Sequence, residues 1–323
     1  MKKHIFILLY GILMANLTAC NEEDYSTKEY YKCVVYLLSK ENYNVYTDVF
    51  PFDNGKEVTR YFSICCSGSQ SNPKGFSVEL EEDTILFSQY NRMNFDIDTS
   101  KFACLLPKEK YRIEKYKVEY PANNTDPYVK VAISVVPDGL SPDSVYFVPL
   151  SIKSVSDYEI NQEKKNMLFR IVVENEYAEQ LNDTYYQLKG NKLNANGEII
   201  GGISGSKLAR PISKNTIRMY VGNENQTKLS TREEIDKLSM LLTVGEDNKV
   251  KISSYGSVEV EQYDMDQWNT YEEVKKNAVD TGVNKYFYLY YRYRTLKTPA
   301  TDQKPAVYNN WVTVQETLKR LES

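Results

Sequence analysis

Histidine is almost missing from this 323-residue chain; His4 is the only one. His4 lies in the N-terminal segment expected to be removed, and a mature chain without any imidazole lacks the group that Ser-His-Asp and Cys-His catalysis, histidine zinc sites and a histidine proton switch require. Cysteine is sparse as well. The five residues include no CxxC spacing, so no redox or zinc signature is present. Long apolar runs are lacking: Ile5 to Met14 is about half the roughly twenty residues that a spanning helix needs. A basic stripe is absent too. The formal charge is −4, and the short segment Arg292, Tyr293, Arg294 cannot displace the counterions of a polyanion, which argues against nucleic acid as a partner.

What is there begins with an address. Lys2 and Lys3, the apolar run and the small residues after it have the order of a secretory signal peptide over residues 1–19. Leu17, Thr18, Ala19 and Cys20 resemble a bacterial lipobox, which implies lipidation of Cys20. Asn21, Glu22, Glu23 and Asp24 resemble the acidic export signal of surface-exposed Bacteroidetes lipoproteins. A bacterial lipoprotein carries several acyl chains, each methylene contributing about 0.8 kcal/mol on burial. The expectation is an outer-membrane, cell-surface protein that meets the membrane through its N-terminal lipid only. Loss of residues 1–19 removes Lys2, Lys3 and His4 together.

The roughly 300 residues that remain exceed what one compact core usually organises, which fits two domains. Tyrosine is abundant, with 28 residues, and Val, Ile, Thr, Tyr and Phe dominate the regular segments, as suits pleated sheets. After a linker over residues 20–30, short strand-like segments run from Cys33 to Val173. Tyr128 to Val135 is the clearest, with Val129, Val131, Ile133 and Val135 alternating against more polar residues. This spacing predicts a β-sandwich over residues 31–177. A second β series over residues 182–323 predicts an antiparallel barrel or another sandwich. Thr231 and Glu234 form a capping-box pattern ahead of a short helix, and Thr270 to Ala278 is a second helix candidate. Cys65 and Cys66 are adjacent on a strand and face opposite ways, so they do not bond each other readily. Whether Cys33, Cys65, Cys66 and Cys104 are buried thiols or form bridges stays open.

The run Asp138 to Ile152, with Val131 to Asn175 around it, resembles the uncharacterised N-terminal domain of Bacteroidetes surface lipoproteins of polysaccharide-utilisation systems. Tyr288 to Tyr293 and Glu316, Thr317, Leu318 are similar to the calycin-like barrel that often follows it. The resemblance implies an all-β chain, an immunoglobulin-like β-sandwich followed by a calycin-like antiparallel β-barrel, working beside a SusC-like transporter and a SusD-like protein. It implies no cofactor and carries over no functional residue. Asp83, Thr84, Ile85 and Asp143, Ser144, Val145 also resemble the O-glycosylation acceptor triplet of exported Bacteroidetes proteins.

Sugar sites commonly join an aromatic face, which covers the apolar side of a pyranose, to amides and carboxylates that fix hydroxyls. Two clusters have that make-up. One is Asp264, Asp266, Gln267, Trp268, Asn269 and Tyr271; the other is Tyr308, Asn309, Asn310 and Trp311. For each, packed rings anchoring a loop to the barrel are the commoner reading of such residues. Tyr286, Tyr288, Tyr290, Arg292 and Arg294 would share one strand face, as a stacking platform or as an ordinary barrel wall. Asp264 and Asp266 alternate on an expected strand and so share a face, about 7 Å apart, and Asp96 and Asp98 do the same, which is the remaining route to a glycosidase. The leading expectation is a non-catalytic glycan-binding lipoprotein that captures poly- or oligosaccharide for a SusC/SusD-like uptake system. A structural or adhesin-like protein with a protein partner, and a glycoside hydrolase, are the alternatives.

Overall fold

The computed structural model describes residues 32–40, 42–68, 74–124, 126–224, 231–276, 282–302 and 304–320. The expected signal peptide, Cys20 and His4 lie outside the described residues. No described helix is long and apolar enough to cross a membrane.

The first half runs through β1 (Val34–Leu37), β2 (Val45–Pro51), β3 (Val58–Ser67), β4 (Phe76–Glu81), helix α1 (Ile85–Phe95), β5 (Cys104–Leu105), β6 (Tyr111–Ile113) and β7 (Lys117–Tyr120). It continues with β8 (Tyr128–Val135), β9 (Tyr146–Val155), β10 (Glu159–Ile160) and β11 (Asn166–Glu174). One sheet has the order β10-β1-β3-β8-β6. The other is β2-β11-β9-β4-β7, with β5 paired to β9. Alternation decides which side chains meet between them: Phe62, Ile64, Val131 and Ile133 from the first sheet pack on Phe50, Leu150, Phe169 and Ile171 from the second. Burial of each such side chain is worth about 1.5–3 kcal/mol. The sheets are mixed, since β2 and β11 pair in parallel over Val45–Pro51.

Helix α1 occupies a stretch without an expected element. Leu86, Phe87 and Tyr90 pack with Phe147 and Leu168 on the outer face of the second sheet, so tertiary burial holds a helix of weak amphipathicity. Of the four later cysteines, Cys33 and Cys66 form a disulfide with a Cα separation of 6.1 Å. The opposite orientation of neighbouring strand residues explains the choice, since Cys66 faces Cys33 and Cys65 does not. Cys65 remains a buried thiol, and burial raises its pKa. Cys104 is an exposed thiol.

The second half comprises β12 (Thr184–Leu193), β13 (Ile199–Ser213), β14 (Thr216–Tyr220), helix α2 (Arg232–Leu238), β15 (Ser239–Val244), β16 (Val250–Ser254), β17 (Glu259–Gln262) and β18 (Thr270–Lys275). After these come β19 (Val283–Arg294), β20 (Leu296–Thr298), β21 (Val307–Tyr308) and β22 (Val312–Arg320). The main sheet has the order β16-β15-β14-β13-β12-β22-β19-β17, with β18 also on β19, and every pairing in it is antiparallel. It curls until its ends nearly meet. Across the seam, Gln262 Oε1 accepts from Ile252 N–H at 2.8 Å and Ser254 Oγ from Val260 N–H at 3.1 Å. The all-β class and the nearly closed C-terminal barrel agree with the sequence reading. So does the capping box at α2, where Thr231 accepts from Glu234 N–H and Glu234 reaches back to Thr231 N–H. The helix expected at Thr270–Ala278 is corrected: its described part is β18. Six residue pairs of β18 and β19 are in register, from Thr270 with Tyr288 to Lys275 with Val283. That ladder outweighs a single i,i+4 charge pair worth a few tenths of a kcal/mol.

The barrel is filled rather than hollow. Tyr186, Phe287, Leu289, Tyr291, Tyr293, Val314 and Leu318 are essentially buried. Among them sits an ion pair, Lys207 Nζ to Glu316 Oε1 at 2.6 Å, with both side chains at most 1 % exposed. Tyr291 donates to the same oxygen at 2.9 Å and accepts from Gly222 N–H at 2.8 Å. Desolvation pushes the Lys207 pKa down and the Glu316 pKa up. Gly190 lies opposite Glu316 in the register; a Cβ there would collide with the Gln315 carbonyl and come within 2.8 Å of Glu316 Cα. The missing side chain leaves the room that Glu316 occupies.

Candidate functional site

Because the inside of the barrel is packed, binding chemistry is left to its outer surface, and there β19 organises the expected residues. Phe287, Leu289, Tyr291 and Tyr293 point inward, so Tyr286, Tyr288, Tyr290, Arg292 and Arg294 form the outward row. From Tyr286 to Arg294 this row extends roughly 27 Å. Tyr286 and Tyr288 lie with centroids 6.0 Å apart and planes at 16°. Tyr290 stacks on Tyr263 at 4.5 Å and also meets Trp268 at 6.1 Å. The chain has two tryptophans, and the second joins the same face. Trp311 has the guanidinium of Arg292 at 4.5 Å and that of Arg294 at 4.8 Å from its ring centre, and Arg294 also lies over Tyr308.

The two sequence clusters are thus brought to one surface. Trp268 comes from the β17–β18 connection and Trp311 from the residue just before β22, and β17, β18 and β22 all pair with β19. Carboxylates from β17 fix the arginines: Glu261 binds Arg292, and Glu259 binds Arg294 at 2.5 Å. The Glu261 carboxylate holds the Arg292 pKa above its usual value. Beside the rings, Lys249, Gln262, Asp264, Met265, Asp266, Trp268 and Asn269 line a shallow recess of about 290 Å³. Amide, carboxylate and ammonium groups around an indole are suited to hydrogen-bonding hydroxyls while the ring covers an apolar face.

Individual residues take different parts. Trp268, Tyr308 and Trp311 are partly exposed, and Asp264, Asp266 and Asn310 are exposed. Asn269 is buried and left-handed, with φ 55°, a conformation asparagine tolerates better than most residues. Its Nδ2 donates to Tyr263 O at 2.7 Å, and its Oδ1 accepts from Tyr290 N–H at 2.9 Å. Asn269 therefore holds two rings of the cluster and is a positioning residue. Tyr271 is separated from Trp268 by the sheet. It points into the barrel, 4.9 Å from Tyr177 and 5.1 Å from Phe287, and its hydroxyl donates to Glu273. Alternation about Thr270 sends it there.

The carboxylate pairs need correction. Asp264 and Asp266 lie in the connection after β17, not on a strand, and Asp264 accepts from Gln262 Nε2 at 3.0 Å. Asp96 ends α1 with φ 52°, and Asp98 follows in a turn, held by Ser100 and Lys101. Strand alternation does not relate either pair. Of the two glycosylation-like triplets, Thr84 is exposed before α1, whereas Asp143 is bound by Arg218.

Residues 25–159 match the family model of an N-terminal domain, and residues 165–319 match that of a C-terminal domain. A Bacteroides ovatus protein of unknown function has a similar structure, with a TM-score of 0.60 and 14% identity over 88% of this chain and 94% of its own. A multidomain protein including DUF1735, also from Bacteroides ovatus, gives 0.59 at 14% identity, over 88% and 93%. An auxiliary nutrient binding protein from Bacteroides thetaiotaomicron gives 0.55 at 14% identity, over 85% and 90%. The chain shares their fold. No curated protein matches it. At such identity the likeness covers architecture alone, so the outer face of β19 has to be judged on its own chemistry.

Proposed function

We propose that the chain is a non-catalytic, cell-surface glycan-binding lipoprotein, anchored through Cys20, that captures poly- or oligosaccharide for a SusC/SusD-like uptake system. In this reading an immunoglobulin-like sandwich (31–177) carries a calycin-like barrel (182–323) away from the membrane. The observation that carries it is the outer row of β19, where Trp268, Tyr263, Tyr286, Tyr288 and hydrogen-bonding groups form an extended surface rather than an enclosed pocket. Such a surface suits a chain of sugars bound along its length. The fold shared with an auxiliary nutrient binding protein supports the same reading.

Affinity gels with the full chain in detergent test it. Polysaccharide should retard the protein, and Trp268→Ala should abolish retardation while leaving the thermal transition in place. No retardation by any polysaccharide that supports growth of the source organism would sink the proposal. Release of reducing ends on long incubation, lost on Asp264→Asn, would replace it with an enzyme. For the anchor, radiolabelled palmitate should enter the protein and fail to enter the Cys20→Ala variant.

A further inference from the structure

Between the two domains lies a second recess, about 360 Å³ in volume, within the size range of small-ligand clefts. Three arginines line it, from both domains: Arg170 on β11, Arg210 on β13 and Arg218 on β14. Two of these cations are neutralised in place. Arg218 is held by both carboxylate oxygens of Asp143, at 2.5 and 2.7 Å, and Arg210 by Asp183 at 2.8 Å. Arg170 is different. Its side chain has no hydrogen bond or ion pair among the described residues, and its Nε is shielded from water without a partner. Alternation on β11 accounts for its position, because Phe169 and Ile171 enter the sandwich core and Arg170 projects from the opposite face toward the barrel.

We infer that this interdomain recess is a second binding site, for a sugar residue bearing a carboxylate, with Arg170 taking the carboxylate as a two-pronged partner. The charge inventory selects the class. Three guanidinium groups against Asp143 and Asp183 leave one positive charge, which a carboxylate balances and a doubly charged phosphate would exceed. Arg170 is half-buried, its Nε is shielded without an acceptor, and its planar fork matches a carboxylate. Leu181, Leu208, Met219 and Ile235 supply apolar wall for a ring carbon face. The sugar assignment rests on the glycan-binding reading above; the site itself is separate from β19.

Titration calorimetry on the full chain in detergent tests the inference, using glucuronate and galacturonate with glucose, acetate and inorganic sulfate as comparisons. Saturable uronate binding is expected, weakened at least tenfold in Arg170→Gln and severalfold in Arg170→Lys, which keeps charge but loses the fork. Trp268→Ala should leave uronate binding unchanged, so failure at β19 and failure here are distinguishable. No uronate binding, or equal affinity in Arg170→Gln, overturns the site. Acetate or sulfate binding as tightly as uronate overturns the sugar assignment, as does equal binding of glucose. Should Arg170→Gln fail to fold, unchanged affinity in Arg170→Lys is the overturning result.

Discussion

Along β19 the inward residues Phe287, Leu289, Tyr291 and Tyr293 are locked by burial, while Tyr286, Tyr288, Arg292 and Arg294 on the outward face keep part of their surface in water. Tyrosine appears on both sides, so residue type does not separate structure from binding. What separates them is the partner each ring finds. Inside, Tyr291 has its hydroxyl satisfied by Glu316 and Gly222, and desolvation raises its pKa well above the usual value. Outside, Tyr286 and Tyr288 lie beside each other and leave area for a ligand.

The comparison breaks hardest on the inside. Glu316→Ala leaves Lys207 buried without its counter-charge and should destabilise the protein by about 3–5 kcal/mol, read from denaturant midpoints. Lys207→Met with Glu316→Leu should lose much less than Glu316→Ala, because two desolvation costs vanish together while only the Tyr291 hydroxyl loses its acceptor. If the single and double variants lose equal stability, the pair is not the reason. At the boundary between faces, Asn269→Ala removes the acceptor of a buried Tyr290 N–H and should cost about 1–3 kcal/mol, with glycan affinity falling as Tyr263 and Tyr290 loosen. Trp268→Ala is the mildest for folding. A change within about 1 kcal/mol, with glycan binding lost, would sharpen the contrast; a loss as large as that of Asn269→Ala would make Trp268 a packing residue.

Much of this wall is legible in the sequence alone. The two-residue period of Tyr286 to Arg294 assigns inward and outward rows correctly, because strand geometry fixes alternation. The β8 pattern and the Thr231–Glu234 cap were equally readable, both being local. Contacts made across the sheet were not. Trp268 and Trp311 become neighbours of one strand only after β17, β18 and β22 choose β19, and sequence spacing does not encode that choice. Proximity in the chain groups Tyr271 with Trp268, yet strand alternation about Thr270 sends it inside. Asp264 and Asp266 read as a strand because nothing local marks the turn that Asn269 completes. The Arg170 recess was out of reach altogether, since its wall comes from segments between Pro142 and Ile235 on both domains.

The place of β22 in the barrel has a consequence for how the protein comes to exist. It lies between β12 and β19, so the barrel cannot assemble before residues near 320 are available to join it to residues near 186. Loop-closure entropy over that separation must be met first, which makes such pairings slow. The sandwich needs nothing beyond β11. A chain emerging from its N-terminus would therefore have the sandwich ready while the barrel waits for β22, and during that interval the unpaired backbone edges of β12 and β19 stand open to any strand that reaches them first.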